Sequence, residues 1–123
     1  MNTAIATKPA AIETESLDTL RAMSVELHAT AWAAAAEAGF GIDIFPVEGA
    51  QRVIVRATAG ATYEVVVKSA FDISFFVNGF PTQGFSSTEE RGHEAYAFAE
   101  AHMLTLSLLA TVHDEIEALT ATN

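Results

Sequence analysis

The sequence predicts an α+β domain: an N-terminal helix, an antiparallel β-meander of four to five strands, and a long C-terminal helix, with both helices packed on one face of the sheet. Three observations carry this. Helical periodicity at three- and four-residue steps occupies both ends of the chain, over residues 16–38 and from residue 86 to about 119. Between them, over residues 40–85, alanine thins out and β-branched and aromatic residues take over. Seven of the eight phenylalanines lie in this middle stretch, which places sheet there. Inside it, Asn78-Gly79 is the strongest hairpin signal, because both turn positions need positive φ.

Taken in order, residues 1–15 hold no apolar core and read as a flexible tail, while 16–121 read as one domain. Ser16 is positioned as an N-cap, and Asp18 sits in the first turn, where a carboxylate favours the helix dipole. Leu17, Leu20, Ser24, Leu27, Ala31, Ala34 and Ala38 share one face. Gly39 follows as a C′ glycine. Trp32, the only tryptophan, falls on a side stripe with Val25 and His28, as a core residue or as an anchor for a partner.

Strands are expected over residues 42–47, 52–58, 62–70 and 71–77, separated by turn signals at Glu48-Gly49 and Ala59-Gly60 and a weaker break near Ser69-Ala70. After Asn78-Gly79 a short segment over 80–85 returns along the edge, where Pro81 keeps it. Ser86 or Ser87, with Glu89 or Glu90 three residues on, offers a capping box. In the long helix that follows, Gly92 marks a weak point. Phe98, Leu109, Val112 and Ile116 define its buried stripe, widened by Ala95, Leu106, Leu108 and Leu119. Glu100, Ser107, Thr111 and Asp114 lie opposite.

Composition excludes whole classes of function. Six Lys+Arg against sixteen Asp+Glu leave a net charge of −10, which repels phosphate backbones and anionic membranes. No cysteine means no thiolate metal site, no cysteine nucleophile and no redox pair. No apolar run approaches the roughly 18 residues of a spanning helix. These features together fit a cytoplasmic setting, with no membrane and no direct nucleic-acid contact.

The charge is also segregated. Twelve of the sixteen acids lie in the helical segments and their approach, where Arg21 and Arg91 are the only basic residues. A carboxylate-rich helical side attracts basic partners and speeds encounter with them. Glu100, Asp114, Glu115 and Glu117, with Trp32, are therefore the candidate partner-binding residues. Strand alternation leaves a second candidate surface on the sheet. Val53, Val55, Ala57, Tyr63, Val65, Val67, Phe71, Ile73, Phe75 and Val77 form the core face. On the other face Ile54, Val66 and Phe76 make an apolar band beside Arg52, Arg56 and Lys68. This is a candidate dimer interface, which would make the protein a homodimer, or a platform for an anionic nucleotide.

Signatures of chemistry are missing. There is no His-Glu-x-x-His, no Gly-x-Ser-x-Gly and no phosphate-binding Gly-rich loop. His102 and His113 are eleven residues apart, about 16 Å along a helix, too far for one metal. No catalytic residue, metal site or cofactor is assigned. The remaining enzymatic option is acid–base chemistry at His28, oriented by a carboxylate such as Asp43. The expectation is a non-enzymatic, acidic interaction protein that inhibits a partner by binding its basic surface, the partner itself being of the nucleic-acid-binding kind. Its style is that of small phage-encoded anti-defence proteins such as anti-CRISPR inhibitors, acting in a bacterial cell. It carries no motif of any one family.

Overall fold

The computed structural model describes residues 16–47, 50–68 and 72–121. The expected tail, the Glu48-Gly49 turn, the Ser69-Ala70 break and Phe71 lie outside them. Helix α1 (Leu17–Ala38) is followed by strands β1 (Gly41–Val47), β2 (Ala50–Ala59), β3 (Ala61–Val67), β4 (Ile73–Val77) and β5 (Phe80–Thr82), then helices α2 (Glu90–Ala101) and α3 (Met103–Ala121). The strands pair in sequence order, each antiparallel to the next. This is the meander that the turn residues imply, with the helices on one face of the sheet. The two edge strands each contain a proline, Pro46 in β1 and Pro81 in β5. A proline lacks the N–H that an incoming strand would pair with, so both edges are blunted against further pairing.

Local chemistry sets the ends of α1. The Ser16 hydroxyl accepts a hydrogen bond from the Thr19 N–H, satisfying one orphan donor of the first turn. At the other end the Gly39 N–H donates to the Ala36 carbonyl, and the Phe40 N–H donates to the Ala35 carbonyl at 2.8 Å. Arg91 reaches over from α2 to complete this end. Its guanidinium donates to the Gly39 carbonyl at 2.6 Å, pairs with Glu94 and stands 4.3 Å from the Phe40 ring centre. A cation against the last carbonyls of a helix is the favourable end of the dipole. The Asn78-Gly79 hairpin forms as expected, with φ of 52° and 85° at its two turn residues.

The core lies between the sheet and the helices. Val53, Val55, Ala57, Tyr63, Val65 and Val67 point into it, with Ile73, Phe75 and Val77 at its margin. Ala95, Ala99, Leu106, Leu109 and Ala110 close it from α2 and α3, and Ala31 and Ala35 from α1. A satellite cluster joins Leu20 of α1 to Val112 of α3, flanked by Leu27, Leu108 and Ile116. At roughly 1.5–3 kcal/mol per buried large aliphatic side chain, these two clusters hold α1 to the body of the protein.

Three expectations change in the structure. The C-terminal helix is two helices, bent by 75° at His102, not weakened at Gly92. α2 follows β2 and β3, whereas α3 crosses to reach α1, and one straight rod cannot serve both. Gly92 instead makes room for an aromatic ring. A Cβ there would lie 2.7 Å from Cγ of Phe85, whose ring stands edge-on to Tyr63 and Phe75. The residue before α2 is Glu89, not a serine, so the helix begins later than a serine cap implies, while the Glu89 carboxylate accepts from the Ser86 N–H, the reach-back half of the expected capping box. Finally, Ser107 and Thr111, placed opposite the buried stripe in sequence, are themselves buried, and the Thr111 hydroxyl donates to the Ser107 carbonyl.

Candidate functional site

The outer face of the sheet comes first, because it carries three of the basic residues. Strand register sets Arg56 opposite Glu64, and Ile54 opposite Val66 on one side and Asp43 on the other. Arg56 donates through Nε to Glu64 at 2.9 Å and through Nη1 to Asp43, which lies diagonally across β1. These hydrogen bonds, that to Asp43 above all, hold its pKa above the ordinary arginine value. Lys68 pairs with Asp72 at 3.5 Å across the β3–β4 connection. Arg52 is half-buried and also engaged. Ile54 and Val66 are only 2% and 6% exposed, so the expected apolar band is covered rather than presented. Phe76 is half-buried opposite Pro81 of the edge strand. Arg56 and Lys68 are engaged in ion pairs on this face, and an anionic ligand would have to displace Asp43 and Glu64 from Arg56 to use it.

The histidines do not assemble as sequence suggested. Asp43 points away from the helical layer to Arg56, so it does not orient His28. His28 faces His113 instead. Ser24 Oγ and His113 Nε2 are 2.7 Å apart, an interhelical hydrogen bond joining α1 to α3 across 89 positions of chain. Burial lowers the pKa of His113, nearby His28 lowers it further, and Asp114 opposes them. His93 bonds the Ser86 carbonyl and His102 stacks on Phe98. A pocket of about 330 Å³ opens at the start of α2, lined by Ala59, Tyr63, Thr88, Glu90, Arg91 and Glu94. None of the histidines reaches it. Among the described residues no three His, Asp or Glu side chains converge as metal ligands. No single helix among them is long and apolar enough to cross a membrane.

The helical side is different. Asp18, Glu26 and Glu37 of α1, Glu90 of α2 and Glu117 of α3 are exposed and form no ion pair among the described residues. Glu100 is exposed and accepts from the Tyr96 hydroxyl at 3.4 Å. Asp114 and Glu115 are half-buried with contacts of their own. Trp32 is 55% exposed and is not part of the core. It stands with Val25 on the side stripe that the sequence implies, and exposed alanines extend that stripe: Ala22, Val25, Ala29, Trp32 and Ala36, at steps of three and four, are all exposed, with Val25 at 71%. Ala33 widens the stripe. Glu26 and Glu37, three turns apart, run along one edge, and Arg21 and His28 lie on the other. Alanines on an exposed helix face are usually unremarked because alanine favours helix anywhere. The signal that finds the stripe is the pair of large apolar residues seven apart, set on the side of α1 away from Leu20, Leu27 and Ala31.

Compared with known protein families, curated proteins and solved structures, the chain has no match in any of the three.

Proposed function

We propose that this is a non-enzymatic interaction protein that inhibits a partner by occupying its basic surface. One observation carries the reading. On the sheet the chain neutralises its own cations, Arg56 with Asp43 and Glu64 and Lys68 with Asp72, whereas Asp18, Glu26, Glu37, Glu90 and Glu117 of the helical layer are exposed and form no ion pair among the described residues. Carboxylates arranged in this way raise the local concentration of a cationic partner and favour docking in one orientation. A partner surface that ordinarily holds nucleic acid has the matching charge. On this reading the protein works in the bacterial cytoplasm in the manner of small phage anti-defence proteins.

The experiment is a capture from bacterial lysate with the whole chain as bait. A stoichiometric partner is expected at low ionic strength, released as salt screens the contact. The same capture fails when Asp18→Asn, Glu26→Gln, Glu37→Gln, Glu90→Gln and Glu117→Gln are combined. If no stoichiometric partner appears at low salt, or if the neutralised protein captures it equally well, the reading is wrong.

A further inference from the structure

Resting on that reading, we infer that the outer face of α1 is the seat of the contact and that its occupant is an amphipathic helix of the partner, with an apolar seam and one edge of Lys or Arg. Val25, Ala29, Trp32 and Ala36 recur as helix-contacting positions do, over about 21 Å from Ala22 to Ala36. The alanines let a second helix axis come to the near end of the 8–10 Å range typical of helix packing. Val25 and Trp32 supply the area, and tryptophan is the residue most enriched among binding anchors. Glu26 and Glu37 on one edge, with Asp18 at the N-terminal end, call for cations on the facing helix about three turns apart.

Charge decides between a foreign helix and a second copy of α1. Two copies packed antiparallel bring like edges together, setting Glu26 and Glu37 beside their own counterparts. Two copies packed parallel gain Arg21 against Glu26 but set Asp18 against Asp18. Either pairing also brings together two chains of net charge −10. A helix with a basic edge meets none of these repulsions.

Trp32 is the only tryptophan, so its emission reports on this surface alone. The test titrates the full chain with a synthetic helical peptide that has a leucine–alanine seam and lysines along one edge. The control is the same peptide with glutamates on that edge. A saturable blue shift is expected with the lysine peptide and none with the control. Glu26→Lys with Glu37→Lys weakens the response by roughly tenfold or more, and Ala29→Arg abolishes it. Ala29 is exposed and arginine is a good helix former, so this variant keeps its helical circular dichroism. No shift with the lysine peptide, an equal shift with the glutamate peptide, or unaltered binding by Ala29→Arg overturns the inference. So does a blue shift on concentrating the protein alone with a doubling of its mass, which makes a second copy the occupant. If Ala29→Arg still captures the lysate partner while Glu90→Gln with Glu117→Gln loses it, the interaction reading stands and this seat for it falls.

Discussion

The outer face of the sheet and the outer face of α1 hold similar ingredients and use them in opposite ways. Each combines apolar side chains with charged neighbours. On the sheet, cross-strand register brings Arg56 within reach of Asp43 and Glu64, and Ile54 and Val66 lie buried on the same face. On α1, Glu26 and Glu37 form no ion pair among the described residues, and Val25 and Trp32 stay in solvent. A sheet sets side chains of neighbouring strands about 5 Å apart, which favours neutralisation within the fold. A helix on the surface has neighbours only along itself. The difference teaches that charge count alone does not locate a contact surface; charge that the fold leaves unpaired does.

If the sheet face is truly closed, Ile54 behaves as a core residue although it points away from the helices. Ile54→Ala is expected to cost about 2–5 kcal/mol, the range for a large aliphatic residue removed from a packed site. Urea unfolding of the full chain measures it. A loss below about 1 kcal/mol, the scale of an exposed site, would reduce the contrast between the faces to one of charge only.

A smaller effect tests the ion pairs themselves. Arg56→Ala leaves Asp43 and Glu64 without the cation they share, and roughly 1–2 kcal/mol is expected for these partly exposed pairs. The loss shrinks as salt is added, since screening relieves the two carboxylates. Arg21→Ala on α1, where Arg21 is exposed and makes no ion pair among the described residues, changes stability by less than about 0.5 kcal/mol.

Most of the fold was legible in the sequence because it rests on short-range signals. Asn78-Gly79 dictates its hairpin from two residues, and Ser16 and Gly39 bound α1 by capping chemistry that spans one turn. Alternation assigned the core face of β2 and β3 residue by residue. What escaped depends on distant packing. Ala101-His102-Met103 contains no helix breaker, and the bend there follows from where α2 and α3 each find a surface to cover. Gly92 looked like a weakness because the Phe85 ring that needs its space lies outside the helix. The acidic helical side was legible from composition. The exposure of Trp32 was not, because a tryptophan on the flank of an apolar face satisfies a core reading equally well until the packing of α1 is known.

The attachment of α1 gives a third test, since the outer stripe is only as fixed as the helix that carries it. Ser24→Ala removes the bond to His113 and is expected to cost about 1 kcal/mol or less, with the Leu20–Val112 cluster retaining the helix. Acid acts at the same place. The pKa of His113 is lowered in the folded protein, so below the ordinary histidine value the unfolded chain binds the additional proton more readily. Stability is therefore full above about pH 6.5 and falls as pH drops through the window between that value and the lowered one. His28, on the facing helix, lowers the His113 pKa further, and Asp114 offsets part of the lowering. His113→Gln should flatten this dependence in unfolding curves recorded across the window.

The smallest effect bears most directly on the comparison. Neutralising Glu26 and Glu37 breaks no ion pair among the described residues, so the double variant Glu26→Gln, Glu37→Gln should unfold within about 0.5 kcal/mol of the parent. Glu64→Gln should cost more, because it weakens the acceptor of a charge-assisted hydrogen bond from Arg56. Acids that serve the fold and acids that serve a contact thus separate in a single denaturation series. Should the α1 pair prove as costly as Glu64, those carboxylates are holding the protein together, and the division between a self-neutralised sheet and an outward-facing helix disappears.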